Sequence, residues 1–163
     1  PLAYYAAFFS IRASAFDYEL MCQGKDRLVD NMNMIKTRIT QGTATPKDAD
    51  LLKYMYNVLE MYTRGFEFVP IDLYRAKADR FQIIDGKLMP SFMTIDGMGE
   101  KAAQLLEETS SEASKGDTYV SREDFRIRTR LSSTLTDKLY SLGILGNLPE
   151  SSQMSFSDFF SMG

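Results

Sequence analysis

The chain has 163 residues, a hydrophobic fraction of 44% and a formal net charge of −3, which allows one domain or two small ones and excludes a uniformly basic surface. It holds one cysteine and no histidine. An internal disulfide is therefore excluded, a zinc site is disfavoured, and nucleophiles that need a Ser-His or Cys-His pair are absent. We predict no catalytic residue, no metal site and no cofactor in this chain.

The sequence contains neither an apolar run of about eighteen residues nor a charged-then-apolar leader. We therefore expect no membrane partner and no signal peptide. The single cysteine, Cys22, fits a cytoplasmic location. The chain begins at Pro1 inside an apolar helical pattern, so we expect it to be a segment of a longer protein.

Residues 1–65 are predicted to be helical. Apolar residues occupy nearly every face of the helix predicted over residues 2–12, which is typical of a buried helix. If a neighbouring segment is missing, we expect one side of this helix to be exposed. A second helix covers Lys25–Gln41 and a third begins with Thr45 as its N-cap and Pro46 at its first position. We expect these last two helices to pack as an antiparallel pair.

Residues 66–90 are predicted to form a small β region. Apolar and polar residues alternate over residues 73–78, and a period of two indicates a strand. Asp85 and Gly86 separate two apolar runs, which is the strongest short-range signal for a β-hairpin. We expect a sheet of two or three strands.

Two closely spaced glycines mark the first candidate site. Gly97 and Gly99 allow a tight turn with positive φ, and Met98 between them can enter an apolar core. A helix is predicted from Glu100 to about residue 108. Its first amides would form an anion site that suits a DNA phosphate; a glycine-bearing turn before an ordinary helix is the alternative.

A glycine-poor version of this pattern follows a loop predicted at residues 110–118. Ser121 opens a capping box for a short helix, and Ser132 or Ser133 caps the next one. Two such hairpins predict a tandem helix-hairpin-helix-like region over residues 91–146. Such a region holds duplex DNA by its phosphates without recognising a base sequence.

Basic residues cluster around the second hairpin. No acidic residue lies between Phe125 and Thr136, so a local basic patch on an acidic body is one interpretation and a solvated helix face is the other. The candidate DNA-binding residues are Gly97, Met98, Gly99, Lys101, Arg128, Arg130 and Ser132.

Residues 147–163 are predicted to form a flexible tail. Three of the five residues from 156 to 160 are phenylalanines, so the tail either docks as a linear peptide in another protein or folds back onto the core. The candidate anchors are Gln153, Met154, Phe156, Phe159 and Phe160. The predicted fold class is mainly α with a small β-hairpin, an α+β fold.

Four stretches resemble the C-terminal end of PolC-type DNA polymerase III alpha subunits, the replicative polymerases of low-GC Gram-positive bacteria. They are LAYYAAFFSIRA at residues 2–13, EMYTRGF at 60–66, VPIDLYR at 69–75 and LPES at 148–151. The resemblance implies a fragment that binds duplex primer–template DNA behind the active site, with its first helices at the end of the fingers region. The metal-binding aspartates of the family, which use magnesium ions, would lie outside this chain.

The tail resembles the family's terminal peptide for the sliding clamp (the beta subunit), usually Gln-Leu-Ser-Leu-Phe. Gln153, Met154, Ser155 and Phe156 match its first four positions in kind, whereas Ser157 stands where an aromatic residue is expected. Phe159 and Phe160 fit the spacing of eukaryotic and archaeal clamp-binding peptides, so the identity of the anchoring aromatics stays open. A protein-interaction domain without DNA contact is the alternative function.

Overall fold

The computed structural model describes residues 1–151. Within that range it contains seven α-helices and one two-stranded antiparallel sheet, so the prediction of a mainly α fold with a small sheet is confirmed. The predicted clamp-binding residues lie outside the described part of the chain. No helix of residues 1–151 is both long and apolar enough to cross a membrane. The helices are α1 (Leu2–Ile11), α2 (Tyr18–Met21), α3 (Lys25–Gln41), α4 (Pro46–Thr63), α5 (Glu100–Ala113), α6 (Arg122–Thr129) and α7 (Ser133–Ser141), and the strands are β1 (Gln82–Ile84) and β2 (Lys87–Met89).

Helices α3 and α4 pack as the predicted antiparallel pair. The end of α3 meets the start of α4, where Arg38 Nη1 lies 3.5 Å from Asp48 Oδ1. At the opposite end, the Gly24 N–H before α3 donates to Tyr62 Oη near the end of α4, at 3.2 Å. The capping box of Thr45 and Asp48 is present, which fixes the first turn of α4.

Helix α1 is buried on one side only. Tyr5 and Phe9 are buried, whereas Tyr4 is 63% and Ile11 80% exposed. The outer face is therefore bared, as predicted for a helix whose neighbour is missing, because no described element packs over it. Tyr5 Oη donates to Glu60 Oε1 at 2.8 Å and joins α1 to α4.

The β region holds two strands rather than three. Asp85 and Gly86, with φ of 51° and 76°, connect β1 to β2 as predicted. The strand predicted over residues 73–78 is wrong. The Asp72 carbonyl accepts from the N–H groups of Arg75 and Ala76, and Asp72 Oδ1 accepts from the Tyr74 N–H at 2.9 Å. An Asx turn therefore replaces the ladder that a strand would need.

Helix α5 continues beyond its predicted end near residue 108. The loop predicted from residue 110 begins instead after Ala113. The buried Ser110 Oγ forms a 2.8 Å hydrogen bond with Tyr119 Oη, which satisfies the hydroxyl of a residue type that favours turns. A tertiary contact thus keeps a serine-rich segment helical.

Two hydrophobic cores lie side by side. The first is built from α1 to α4 and also takes in Phe81 and Leu88. The second is built from α5 to α7 and takes in Tyr18, Ile71 and residues that follow α7. Cys22 packs against both cores. We call the part built on the first core the helical half, and the part that carries the two hairpins the hairpin half. The β region and α2 join these two halves.

Candidate nucleic-acid interface

The first hairpin precedes α5. Gly97 has a φ of +89°, whereas Gly99 is the N-cap of α5 with φ −75° and ψ 168°. Only Gly97 therefore needs the left-handed region that glycine favours. Met98 is 6% exposed and enters the second core, as predicted. The element before the hairpin is a single 3-10 turn, Phe92–Thr94, not an α-helix.

The second hairpin lies between α6 and α7 and has the same order of backbone conformations as the first. Arg130 has a φ of +60°, Leu131 is 5% exposed, and Ser132 is the N-cap of α7 with φ −63° and ψ 159°. Ser132 Oγ accepts from the Leu135 N–H at 3.2 Å. Ser132, and not Ser133, is therefore the cap. Each hairpin thus has a left-handed residue, a buried apolar residue and an extended cap, in that order.

The two hairpins lie against each other. A Cβ built on Gly97 would stand 3.6 Å from Leu135 Cδ2, in the first turn of α7. One turn further along α7, Lys138 Nζ lies 3.8 Å from Asp96 Oδ2. Met98 and Leu131 enter the same core. The starts of α5 and α7 are therefore neighbours on the surface of the molecule.

The start of α5 lacks a side-chain cap. Gly99 offers no side-chain acceptor, and the first intrahelical bond runs from the Ala103 N–H to the Gly99 carbonyl. The backbone amides of residues 100–102 thus have no side-chain or helical acceptor within residues 1–151. Unsatisfied amides at a helix start, with the positive end of the helix dipole, favour an anion.

The predicted basic residues differ in what they contact. Lys101 and Arg130 are exposed, and neither forms an ion pair within the described part of the chain. Arg128 instead lies between two carboxylates: its Nη1 is 3.3 Å from Asp124 Oδ2 and its Nη2 is 3.3 Å from Asp117 Oδ2. A DNA phosphate would have to compete with these partners for Arg128.

One carboxylate lies next to the first hairpin and is shared by two lysines. Asp96 Oδ1 is 3.1 Å from Lys47 Nζ, and its Oδ2 is 3.8 Å from Lys138 Nζ. The hydrogen bond from Lys47 is the main cause that lowers the pKa of Asp96. Sequence reasoning missed Lys47, because only the packing of α4 brings it to the hairpin.

The described residues offer no ligand set for a metal. Within residues 1–151, no group of three or more His, Cys, Asp or Glu side chains is placed to hold an ion.

The chain matches no family model, but it aligns with curated proteins along nearly its whole length. It is 40% identical to the PolC-type DNA polymerase III of Streptococcus thermophilus over 161 residues, which is 98% of the chain. It is 39% identical to that of Streptococcus pneumoniae over 158 residues, 97% of the chain. The corresponding protein of Streptococcus pyogenes is 39% identical over 161 residues, again 98% of the chain.

These matches cover only 10 to 11% of the relatives' own length. The aligned part is a C-terminal region of those proteins. Along nearly its whole length, the chain is therefore similar to a C-terminal region of PolC-type DNA polymerase III proteins.

Proposed function

We propose that this chain binds duplex DNA without sequence preference and tethers the whole polymerase to its sliding clamp. In this way it would support template-directed DNA synthesis whose catalytic residues lie elsewhere in the protein. The observation that carries the proposal is the proximity of Gly97 to Leu135, because it sets two hairpins of like conformation side by side. We infer that they act as a tandem helix-hairpin-helix pair on successive phosphates.

The chemistry of the proposed interface is that of phosphate binding. Backbone amides at the start of α5 would donate to one phosphate, and Lys101 beside them would add a positive charge. At the second hairpin Arg130 and the Ser132 hydroxyl would contact the next phosphate, with Arg128 as a further contact once it leaves a carboxylate. Contacts to phosphates position a duplex and carry no base information, which suits a polymerase that must accept every sequence.

The acidic residues near the first hairpin do not prevent this function. Asp96 is the carboxylate closest in sequence to Gly97, and two lysines neutralise it. The dipole of α5 and the exposed Lys101 add positive potential on the same side. A chain with a negative total charge can therefore present a local surface that attracts DNA.

The test is the affinity of the chain for a primed duplex, measured by fluorescence anisotropy over a series of salt concentrations. Gly99→Asp is the informative variant, since Gly99 has an ordinary φ and a Cβ there meets no atom within 4 Å. Aspartate is also a good N-cap, so we expect a folded variant with weaker binding, because its carboxylate both accepts from an amide proposed to bind the phosphate and repels the phosphate. Gly99→Asn, which adds a neutral cap of the same shape, is the matched control.

We expect wild type and Gly99→Asn to bind with an affinity that falls steeply with salt, as release of counterions from several phosphates requires. Gly99→Asp should bind less tightly than Gly99→Asn at every salt concentration. A wild-type chain that binds no duplex at low salt, or equal affinity of the two variants, would contradict the proposed DNA interface.

The tethering part of the proposal rests on the sequence of residues 153–160 and on where the described chain ends. The N–H groups of Arg122 and Glu123, at the start of α6, donate to the carbonyls of Pro149 and Glu150 at 2.8 and 3.0 Å. The chain up to residue 150 is thus fixed to the hairpin half. A clamp that grips the following peptide would be held close to the proposed DNA interface.

The clamp contact is tested by a pull-down with purified sliding clamp. We expect Phe156→Ala combined with Phe159→Ala to abolish capture, because aromatic anchors dominate the binding energy of such peptides. Met162→Ala, an apolar truncation in the same tail outside the predicted anchors, is the control and should be captured normally. Capture of the double variant at the wild-type level would assign the tail to another role.

A further inference from the structure

A lysine from the helical half of the molecule lies beside the first hairpin. Lys47 is in the first turn of α4, and its Nζ is 3.1 Å from Asp96 Oδ1. Asp96 immediately precedes Gly97 in the sequence. Its side chain is 67% exposed. The ion pair therefore holds the ammonium group at the hairpin while leaving it accessible to a ligand from solution.

Lys47 and the hairpin line the same cleft. This cleft of 580 Å³ is bounded by residues 14–17, by the start of α4 and by the hairpin itself, including Gly97 and Gly99. The N-cap of α5 and Lys47 thus both line this depression.

The lysines at the hairpin side of this cleft outnumber the carboxylate that they share. Asp96 has two lysine partners, Lys47 and Lys138, so that group of three carries one net positive charge. Of the two other acids of the cleft, Asp50 is paired with Lys53 at 4.0 Å, whereas Asp17 Oδ1 accepts only from the Leu20 N–H at 3.1 Å and keeps its negative charge. An anion is therefore favoured at the two lysines, and not by the summed charge of the cleft.

We infer that Lys47 is a phosphate-contact residue of the duplex interface, and that Asp96 is the counter-ion of Lys47 in the free protein, which a DNA phosphate replaces on binding. The inference rests on the proposed function and extends the interface to the helical half of the molecule. An exposed lysine–carboxylate pair is weak and screened by salt, so exchange of Asp96 for a phosphate is not opposed by a strong bond. The long lysine stem can follow the phosphate without a movement of α4.

Lys47→Gln and Asp96→Asn separate this role from a structural one. Salt-dependent affinity for a duplex is measured by anisotropy with the 163-residue chain, and thermal unfolding is followed in parallel. Lys47→Gln should lower the slope of log affinity against log salt by about 1 and weaken binding about eightfold at 0.1 M salt, the effect of one phosphate contact. Lys25→Gln is the control, since Lys25 is an exposed lysine at the start of α3 and lies outside the cleft lining; it should leave the slope unchanged.

Asp96→Asn tests the role of Asp96 as a replaceable counter-ion, with an expected effect of opposite sign. It removes the carboxylate that competes with a phosphate for both lysines, so we expect binding several-fold tighter than wild type. If the ion pair merely joins the two halves of the molecule, both variants lower the melting temperature and neither changes the salt slope, which overturns the inference. If the variants behave in this way but the wild-type chain binds the duplex, the proposed DNA function still stands. If the wild-type chain does not bind the duplex, that function itself is overturned.

Discussion

Gly97 lies against Leu135, and this contact joins the two hairpins. Gly97 has a φ of +89°, and a Cβ on it would stand 3.6 Å from Leu135 Cδ2. The left-handed conformation favours glycine, whereas a Cβ at this position would make only an ordinary van der Waals contact with the leucine. The spacing of the two proposed phosphate sites depends on this position.

Gly97→Ala should therefore destabilise the chain by roughly 1–2 kcal/mol, the cost of an L-residue in the left-handed region. The free energy of unfolding is measured by urea denaturation. Gly99→Ser is the control, since φ is −75° there, a Cβ meets no atom within 4 Å, and serine is a good N-cap. Equal stability of Gly97→Ala and wild type would show that this backbone conformation is not required.

Leu131→Ala should lower the free energy of unfolding much more than truncation of an exposed apolar side chain in the same hairpin unit. Leu131 is buried in the core shared with Met98 and Leu139, and truncation of a buried leucine costs about 2–5 kcal/mol. Ile127→Ala is the comparison, because Ile127 is 68% exposed and should change the unfolding free energy by less than about 0.5 kcal/mol. Similar losses for both variants would mean that Leu131 does not anchor the second hairpin.

Local rules predicted the elements that depend on local interactions. The Thr45 capping box and Gly42 defined α3 and α4, and the Asp85-Gly86 pair defined the β-hairpin, because caps and tight turns are decided by a few neighbouring residues. The same holds for the hairpin cores, where Met98 could be predicted as buried from the glycines on either side.

Tertiary contacts decided the rest. The hydrogen bond of Ser110 with Tyr119 keeps α5 helical where the sequence favours a loop, and it joins residues that no periodic pattern connects. The alternation over residues 73–78 predicted a strand, but the chain there has no partner strand and turns at Asp72. Lys47 was missed as a site residue because its approach to Asp96 follows from the packing of two separate cores.

Arg130 combines a left-handed backbone with an exposed positive charge, and two variants separate these properties. Its φ is +60°, so Arg130→Ala should keep the backbone strain and Arg130→Gly should relieve it. Relief of about 1–2 kcal/mol is partly offset by the roughly 0.5–1 kcal/mol of extra entropy that glycine loses on folding. Arg130→Gly should thus be at least as stable as wild type in urea denaturation, and more stable than Arg130→Ala.

Both variants remove the same charge, so both should lower the salt slope of duplex binding by about 1. If Arg130→Gly keeps the wild-type slope while Arg130→Ala loses affinity, the residue acts through turn geometry and not as a phosphate contact.

Asp17 makes the stability of the chain depend on pH in the direction opposite to most carboxylates. Its side chain caps α2 by accepting from the Leu20 N–H. Burial is the largest cause that raises the pKa of Asp17, and the charge of Asp96 raises it further against the opposing effect of Lys138. A carboxyl group whose folded pKa lies above its unfolded value binds protons more tightly in the folded state. Its stabilising contribution is therefore complete below the ordinary aspartate pKa of about 4 and is lost as pH rises through the folded pKa.

Asp17→Asn keeps the hydrogen-bond acceptor and removes the charge. The variant should be more stable than wild type at pH 7, and the difference should shrink as pH falls toward about 4, where the wild-type carboxyl group is increasingly protonated. Urea denaturation at several pH values between these limits measures the difference. Asp96→Asn is the control of opposite sign, because the pKa of Asp96 is lowered by Lys47: any loss of stability should persist over this range and disappear only in a further series below pH 4, as pH falls through the folded pKa of Asp96. A stability difference between Asp17→Asn and wild type that does not change with pH would show that burial of this carboxylate does not control the effect.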